Sequence, residues 1–165
     1  MKRLLALLLT LVMIVTATTS CGMLVVLDDP SEGAAESRIP STAGIQQDTY
    51  YYDLENVVLY LHTYKKLPTN YLTKGEAGSL GWSGGSVERY KDGAAIGGDR
   101  FGNREGLLPK AAGRSYTECD IDTQGADSRG AKRLVFSNDG LYFYTEDHYE
   151  SFTEYTVANG QVVKV

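Results

Sequence analysis

Cysteine is nearly absent from this sequence: among 165 residues there are two, Cys21 and Cys119. Cys21 falls in an N-terminal segment with targeting character, so Cys119 stands alone and no disulfide framework supports the fold. Histidine is as scarce, with His62 and His148 only. No cysteine and histidine cluster has metal-ligand spacing, so neither a metal nor any other cofactor is expected. A basic surplus is missing too: from Asp48 onward 13 Lys and Arg stand against 17 Asp and Glu. That balance argues against tight, nonspecific adhesion to polyanions. It leaves room for a small cationic cleft, because net charge sets long-range steering and not the local field. No apolar run reaches the roughly 20 residues that span a bilayer; Leu4–Val15 falls short.

What is present divides the chain. Lys2-Arg3, the apolar run Leu4–Val15 and the small residues Thr16–Ser20 have the layout of a secretory signal over residues 1–20. Cys21 follows Thr-Thr-Ser and precedes Gly22, as at a lipoprotein processing site, although Thr18 stands where leucine is usual. Three readings stay open: release outside the cell, a membrane anchor through a lipid on Cys21, or an uncleaved anchor, since Met23–Leu27 is apolar again. Residues 21–47, rich in Asp, Glu, Ser, Ala and Gly with Pro30 and Pro40, read as a flexible linker. All twelve tyrosines lie at or after Tyr50, so a folded domain is expected over 48–155, with a C-terminal hairpin extension over 156–165 around Asn159-Gly160.

Helical periodicity starts after Asp53, with Leu54, Val57, Val58 and Leu61 on one face, Asp53 as N-cap and Lys65-Lys66 in the last turn before Pro68. Thr73-Lys74-Gly75-Glu76 is a capping box that opens a second short helix ending near Trp82, and a third covers Val87–Lys91. Strands follow near Ala95–Arg100, Ser115–Ile121, Arg133–Ser137, Leu141–Thr145 and Ser151–Tyr155, with Asn138-Asp139-Gly140 as a tight hairpin turn. Helices followed by antiparallel strands make an α+β fold.

Alternation along Ser115–Ile121 sends Cys119 and Ile121 to the core and leaves Tyr116, Glu118 and Asp120 together on the exposed face. Arg129 and Arg133 stand close in sequence. Carboxylates facing arginines are either plain surface pairs or an anion site where guanidinium forks grip phosphate; spacing alone leaves both open. His148 lies in a turn, and a lone turn histidine has no role unless the fold brings it to Glu118. His62, inside the first helix, is assigned none. The stretch 97–106 is a glycine-rich, charged loop, either a long hairpin connection or a base-reading loop.

Taken in order, Tyr-Lys-Lys-Leu-Pro-Thr-Asn-Tyr-Leu-Thr-Lys (64–74), Leu-Gly-Trp (80–82), Ile-Gly-Gly-Asp (96–99), Phe-Gly-Asn-Arg-Glu-Gly (101–106), Gly-Arg (113–114), Glu118-Cys-Asp-Ile, Arg129 with Arg133, and Asp147-His148-Tyr149 resemble the barnase-type family of microbial guanyl-preferring ribonucleases. The resemblance covers essentially the whole domain, from about Tyr51 to Phe152. It implies N-terminal helices packed on a twisted antiparallel sheet. It also implies an extracellular endoribonuclease that cleaves single-stranded RNA 3′ of guanosine without a metal, through a 2′,3′-cyclic phosphate that is then hydrolysed. By the same resemblance Glu118 is the general base, His148 the general acid, and Lys74, Arg129 and Arg133 stabilise the phosphoryl charge. Phe101, Gly102, Asn103, Arg104, Glu105 and Tyr149 bind the base, with Glu105 accepting from guanine and Asn103 shaping the loop. Asp99, Asp120 and the pair Arg114–Asp139 are structural; the implied partners are RNA and an acidic intracellular inhibitor of the barstar type, and the implied state is a monomer. The departures are that Gly102 stands where serine is common, Gly140 and Tyr116 each stand where the family has tryptophan, the segment between Asp120 and Arg129 is one residue longer, and the turn after Trp82 is two residues shorter. The other class of function is a silent module of the same fold that only binds RNA or an inhibitor; the complete set of Lys74, Glu118, Arg129, Arg133 and His148 favours the enzyme.

Overall fold

The structure, a computed structural model, describes residues 40–165. The expected signal over 1–20, Cys21 and most of the expected linker lie outside the described residues. Among the described residues no helix is long and apolar enough to cross a membrane.

The fold of the described residues is α+β: two α-helices and a seven-stranded sheet whose spatial order follows the chain. Helix α1, Leu54–Tyr64, forms where the sequence places its apolar stripe. The Asp53 carboxylate caps it by accepting from the Asn56 backbone N–H at 2.9 Å. It ends sooner than expected, because Lys65 turns into the left-handed region at φ 56° and becomes the C-cap. Lys65 and Lys66 therefore lie past the last turn rather than in it. Strand β1, Tyr71–Leu72, pairs parallel with β2 and has no pattern of its own in a segment so short. Helix α2, Lys74–Ser79, starts on the expected capping box, with Thr73 and Glu76 satisfying each other's backbone N–H. A single 3-10 turn, Val87–Arg89, stands for the expected third helix.

Strands β2 (Ala95–Phe101), β3 (Tyr116–Asp120), β4 (Arg133–Ser137), β5 (Tyr142–Thr145), β6 (Thr153–Ala158) and β7 (Gln161–Lys164) then run antiparallel. Helix α1 packs on one face of the sheet, against Cys119, Ile121, Leu134 and Tyr142. The final hairpin extends the sheet: Val157 and Val162 pack beside Leu59 and Tyr60 of α1. Part of the expected linker is folded as well. Ile45 is buried in the same cluster, and the Thr42 N–H donates to the Gly160 carbonyl at 2.9 Å. Its apolar anchor is a single isoleucine, which composition over a window does not register.

One glycine is dictated by close approach. At Gly97, where the β2–β3 register shifts into a bulge, a Cβ would stand 2.5 Å from the Cys119 Cβ and 2.7 Å from the Tyr71 ring. We expect Gly97→Ala to cost about 1–3 kcal/mol through overpacking. Urea unfolding checks this; an unchanged midpoint would show that the bulge relaxes freely.

Candidate active site

The face of β3 that alternation assigns to solvent is covered instead. Glu118 is 7% and Asp120 1% exposed, whereas Cys119 and Ile121 do enter the core beneath α1. The cover comes from the connection into β4 and the first residue of that strand, which bring Arg129 and Arg133 to Asp120, and from the turn after β5, which brings Tyr149 to Glu118. A buried carboxylate must be paired, and both are.

Asp120 takes a bidentate grip from Arg129, with Nε and Nη2 each 2.8 Å from its oxygens. Arg133 Nε lies 3.0 Å from Asp120 Oδ1, off the hydrogen-bond axis. The rest of the Arg133 fork donates to the carbonyls of Arg129, Gly130 and Lys132. Burial raises the Asp120 pKa and the guanidiniums oppose that rise. With three guanidinium nitrogens within 3.0 Å, the carboxylate is the form this geometry serves. The far side of the Arg129 guanidinium faces Trp82, its Cζ 5.8 Å from the ring centroid.

Glu118 sits next along the same face. Its Oε1 accepts from Lys74 Nζ at 2.5 Å and its Oε2 from the Tyr149 hydroxyl at 2.5 Å. Burial works to raise the Glu118 pKa, but these two hydrogen bonds and the cations Lys74 and Arg129 outweigh it, so the carboxyl is held below its ordinary value. Tyr149 is pushed the other way, by burial and then by Glu118, and keeps its proton. Lys74 is placed by its own backbone: its N–H, at the start of α2, donates to Asp99 at 2.9 Å, and Asp99 is the β2 partner of Glu118.

His148 and Tyr149 occupy two successive left-handed positions, φ 58° and 77°, which non-glycine residues rarely adopt. Thr145 and Asp147 hold that turn. Thr145 Oγ accepts from the Tyr149 N–H and donates to Asp147, which also accepts from the Ser151 N–H and hydroxyl. The Ser151 and Thr145 donors keep the Asp147 carboxyl far below its ordinary range. The exposed imidazole of His148 lies 4.8 Å, centroid to centroid, from the Tyr149 ring, whose hydroxyl reaches Glu118. Tyr149, the residue after His148, thus makes the contact between this turn and Glu118.

The loop after β2 completes the site. Asn103, buried at φ 44°, uses its side-chain amide inside the loop: Nδ2 donates to the Leu108 carbonyl at 2.8 Å and Oδ1 accepts from the Leu108 N–H at 3.0 Å. Phe101 packs on Tyr149 at 5.3 Å. Gly102, Arg104 and Glu105 are exposed, and the loop and Glu118 line one cleft of about 470 Å³. A larger cleft of about 620 Å³, beside Tyr50 and Asp122, lies away from these groups. Arg114 forms a bidentate pair with Asp139, 2.7–3.0 Å, and braces the Pro109 carbonyl. Exposed His62 has no contact with the site. Among the described residues no three His, Cys, Asp or Glu side chains converge as metal ligands. Thr145, Ser151 and Trp82 escaped sequence reasoning: the first two read as ordinary turn polars, and the stacking of Trp82 on Arg129 joins residues far apart in the chain.

Fold and site together define an α+β domain with a cationic cleft built around one ionised carboxylate. A family model described as ribonuclease matches residues 55–156. The chain is 48% identical over 101 residues to a ribonuclease of Bacillus intermedius, covering 60% of this chain and 62% of that protein. It is 48% identical over 100 residues to a ribonuclease of Heyndrickxia coagulans, covering 59% of this chain and 91% of that one. It is also 56% identical over 52 residues to guanyl-specific ribonuclease St of Saccharopolyspora erythraea, covering 32% of this chain and 52% of that one. The chain belongs to the ribonuclease family, in keeping with the barnase-type resemblance of its motifs.

Because Asp120 neutralises two buried or half-buried guanidiniums, Asp120→Ala leaves both without their carboxylate. The expected loss is about 3–5 kcal/mol, read by chemical denaturation; a loss under about 1 kcal/mol, the size of a surface pair, would show that the arginines simply reorient to solvent.

Proposed function

We propose that the protein is a guanyl-preferring endoribonuclease that cleaves single-stranded RNA by transesterification and then hydrolyses the cyclic product. The observation that carries this reading is the position of Glu118. It is an ionised carboxylate held between Lys74 and Tyr149, beside Arg129, in the cleft that the Phe101–Glu105 loop also lines.

The chemistry follows from what each group can do. The ribose 2′-OH is a poor nucleophile until Glu118 takes its proton; its oxygen then bonds to phosphorus. The P–O5′ bond breaks as His148 delivers a proton to the leaving oxygen, giving a 2′,3′-cyclic phosphate and a free 5′-OH. In the second step water replaces the leaving alcohol and the two residues exchange roles. Negative charge on the phosphoryl oxygens falls among Lys74, Arg129 and Arg133, cations already oriented by Glu118, Asp120 and backbone carbonyls, so little reorganisation accompanies the reaction. Glu105, exposed on the loop, accepts hydrogen bonds from the guanine edge, and the backbone N–H groups of residues 102–104 meet its O6. Tyr149 and Phe101 supply the aromatic wall. The basic start and apolar run over residues 1–20 support export. Cys21 supplies the lipid site if an anchor is retained, and an acidic inhibitor would meet the same cations.

The test uses the purified protein in EDTA with short RNAs carrying a single G, A, C or U at the scissile position. Cleavage 3′ of G to a 2′,3′-cyclic end is expected. His148→Ala should lower kcat by about 10²–10⁴-fold, the range for a general acid, with the fold intact by circular dichroism. No cleavage by the folded wild-type protein over a pH series would replace this reading with a silent binding module.

The pH profile separates the base from the acid. With its carboxyl below the ordinary value of about 4.3, Glu118 is ionised throughout the neutral range, so the acid limb of kcat/KM should lie below that value. A depressed pKa also means that the stability Glu118 contributes is present above about pH 4.3 and lost as pH falls through its folded value. Lys74→Met removes a hydrogen bond and a charge that lower it while burial remains, so the acid limb should move up. A limb that stays in place in this variant would assign the titration to another group.

A further inference from the structure

Residues 121–132 join β3 to β4 and carry Arg129 near their far end. The middle of this connection, residues 123–128, contains neither helix nor strand. Among the described residues, each hydrogen bond that this middle makes to another part of the fold ends on one short stretch, residues 86–89. The Ser86 N–H donates to the Asp127 carbonyl at 3.2 Å. The Gly125 N–H donates to Glu88 Oε2 at 2.7 Å. Arg89 lies 3.1 Å from Asp127 Oδ1. These contacts are unequal. Arg89 and Asp127 are both exposed, and such a pair contributes little. Ser86 is buried and Glu88 half-buried. Glu88 has no cation within ion-pair distance among the described residues, so its charge is directed at the Gly125 N–H, a charge-assisted bond. Gly125 lies inside a turn closed by the Ala126 N–H on the Thr123 carbonyl at 3.1 Å. Glu88 therefore grips the turn from which the chain runs on to Arg129.

Trp82 joins the two ends of this arrangement. Its Nε1–H donates to the Gly85 carbonyl at 3.1 Å, which holds the ring beside the same stretch, and the ring faces the Arg129 guanidinium. The two segments that meet here are those that depart in length from the resembled family, one longer and one shorter. We propose that Glu88 is a positioning residue for Arg129: by clamping Gly125 to residues 86–89 it sets the backbone from which the guanidinium reaches Asp120 and the reaction cleft. This rests on the ribonuclease reading above and adds to it a residue that touches no substrate. A misplacement of about 1 Å can cost about 10²-fold in rate, so one clamp outside the cleft is enough to matter.

Glu88→Ala removes the acceptor, whereas Glu88→Gln keeps a carbonyl oxygen at the same reach. Two readouts are followed: cleavage of a short RNA with one G, and the fluorescence of Trp82, the single tryptophan of the chain. Glu88→Ala should lower kcat by about tenfold or more, with the fold intact by circular dichroism, and Glu88→Gln should restore most of it. In an Arg129→Ala background Glu88→Ala should change nothing further, because the group it positions is gone. Trp82 emission should shift in Glu88→Ala in the direction it shifts in Arg129→Ala, and stay at the wild-type position in Glu88→Gln. Arg89→Ala, which opens only the exposed pair, should leave kcat and emission unchanged. Wild-type kcat or wild-type emission in Glu88→Ala, or an equal proportional loss in the Arg129→Ala background, would overturn the assignment. Failure of the wild-type protein to cleave any RNA would instead overturn the ribonuclease reading, and the emission series would still decide whether Glu88 holds Arg129.

Discussion

The carboxylate of Asp120 organises the site more than any other group. It is 1% exposed at the end of β3, and it can be there only because Arg129 and Arg133 supply three nitrogens to it. The same pairing draws the segment before β4 back over the sheet and fixes Arg129 between a carboxylate and the Trp82 ring. It also ties the Arg133 fork to three carbonyls of the connection it closes. The buried Tyr71 hydroxyl donates to the Asp120 carbonyl at 2.8 Å, which couples strand β1 to the same strand end. A buried ion network is weak evidence for stability. Its value here is positional, because cations that would wander at a surface are held with defined directions.

Glu118 depends on that arrangement. Two residues along the strand from Asp120, it shares the same face and the same cations, but its partners differ in kind. Lys74 is half exposed, at 45%, and on a flexible stem; Tyr149 is a neutral donor. In the proposed reaction both give up a carboxylate oxygen to the substrate hydroxyl, whereas the fork on Asp120 cannot be displaced without stranding two guanidiniums. The division is therefore between a fixed carboxylate that orients charge and a replaceable one that can take a proton.

Much of this was readable in the residues. The α1 face, the Thr73–Glu76 capping box, the order of strands and the sidedness of β3 follow from period and turn chemistry, since each is decided within a few residues. What escaped was decided at long range. Strand β1 exists only because β2 lies beside it, the packing of Ile45 depends on the last hairpin, and the burial of Glu118 and Asp120 depends on cover arriving from residues 129–133 and 145–151. Alternation reports which side a residue faces, not whether that side is later roofed. His148 is the sharpest instance. A turn histidine has no local signal for catalysis, and only the family resemblance singled it out; the contact of its turn with Glu118 is made by Tyr149, the next residue, in a backbone state that neither residue prefers alone.

The left-handed pair His148-Tyr149 shows how strain and function are joined. Holding two non-glycine residues at positive φ costs of order 1–3 kcal/mol each. Asp147, Thr145 and Ser151 offset that cost with a closed set of hydrogen bonds inside the turn. The result sends consecutive side chains different ways: the tyrosine inward to a carboxylate, the imidazole outward to solvent. A regular strand would instead send them to opposite faces of the sheet. In the turn the separation is set by the hydrogen bonds of Asp147, Thr145 and Ser151, which place the Glu118-bound tyrosine directly after the exposed histidine.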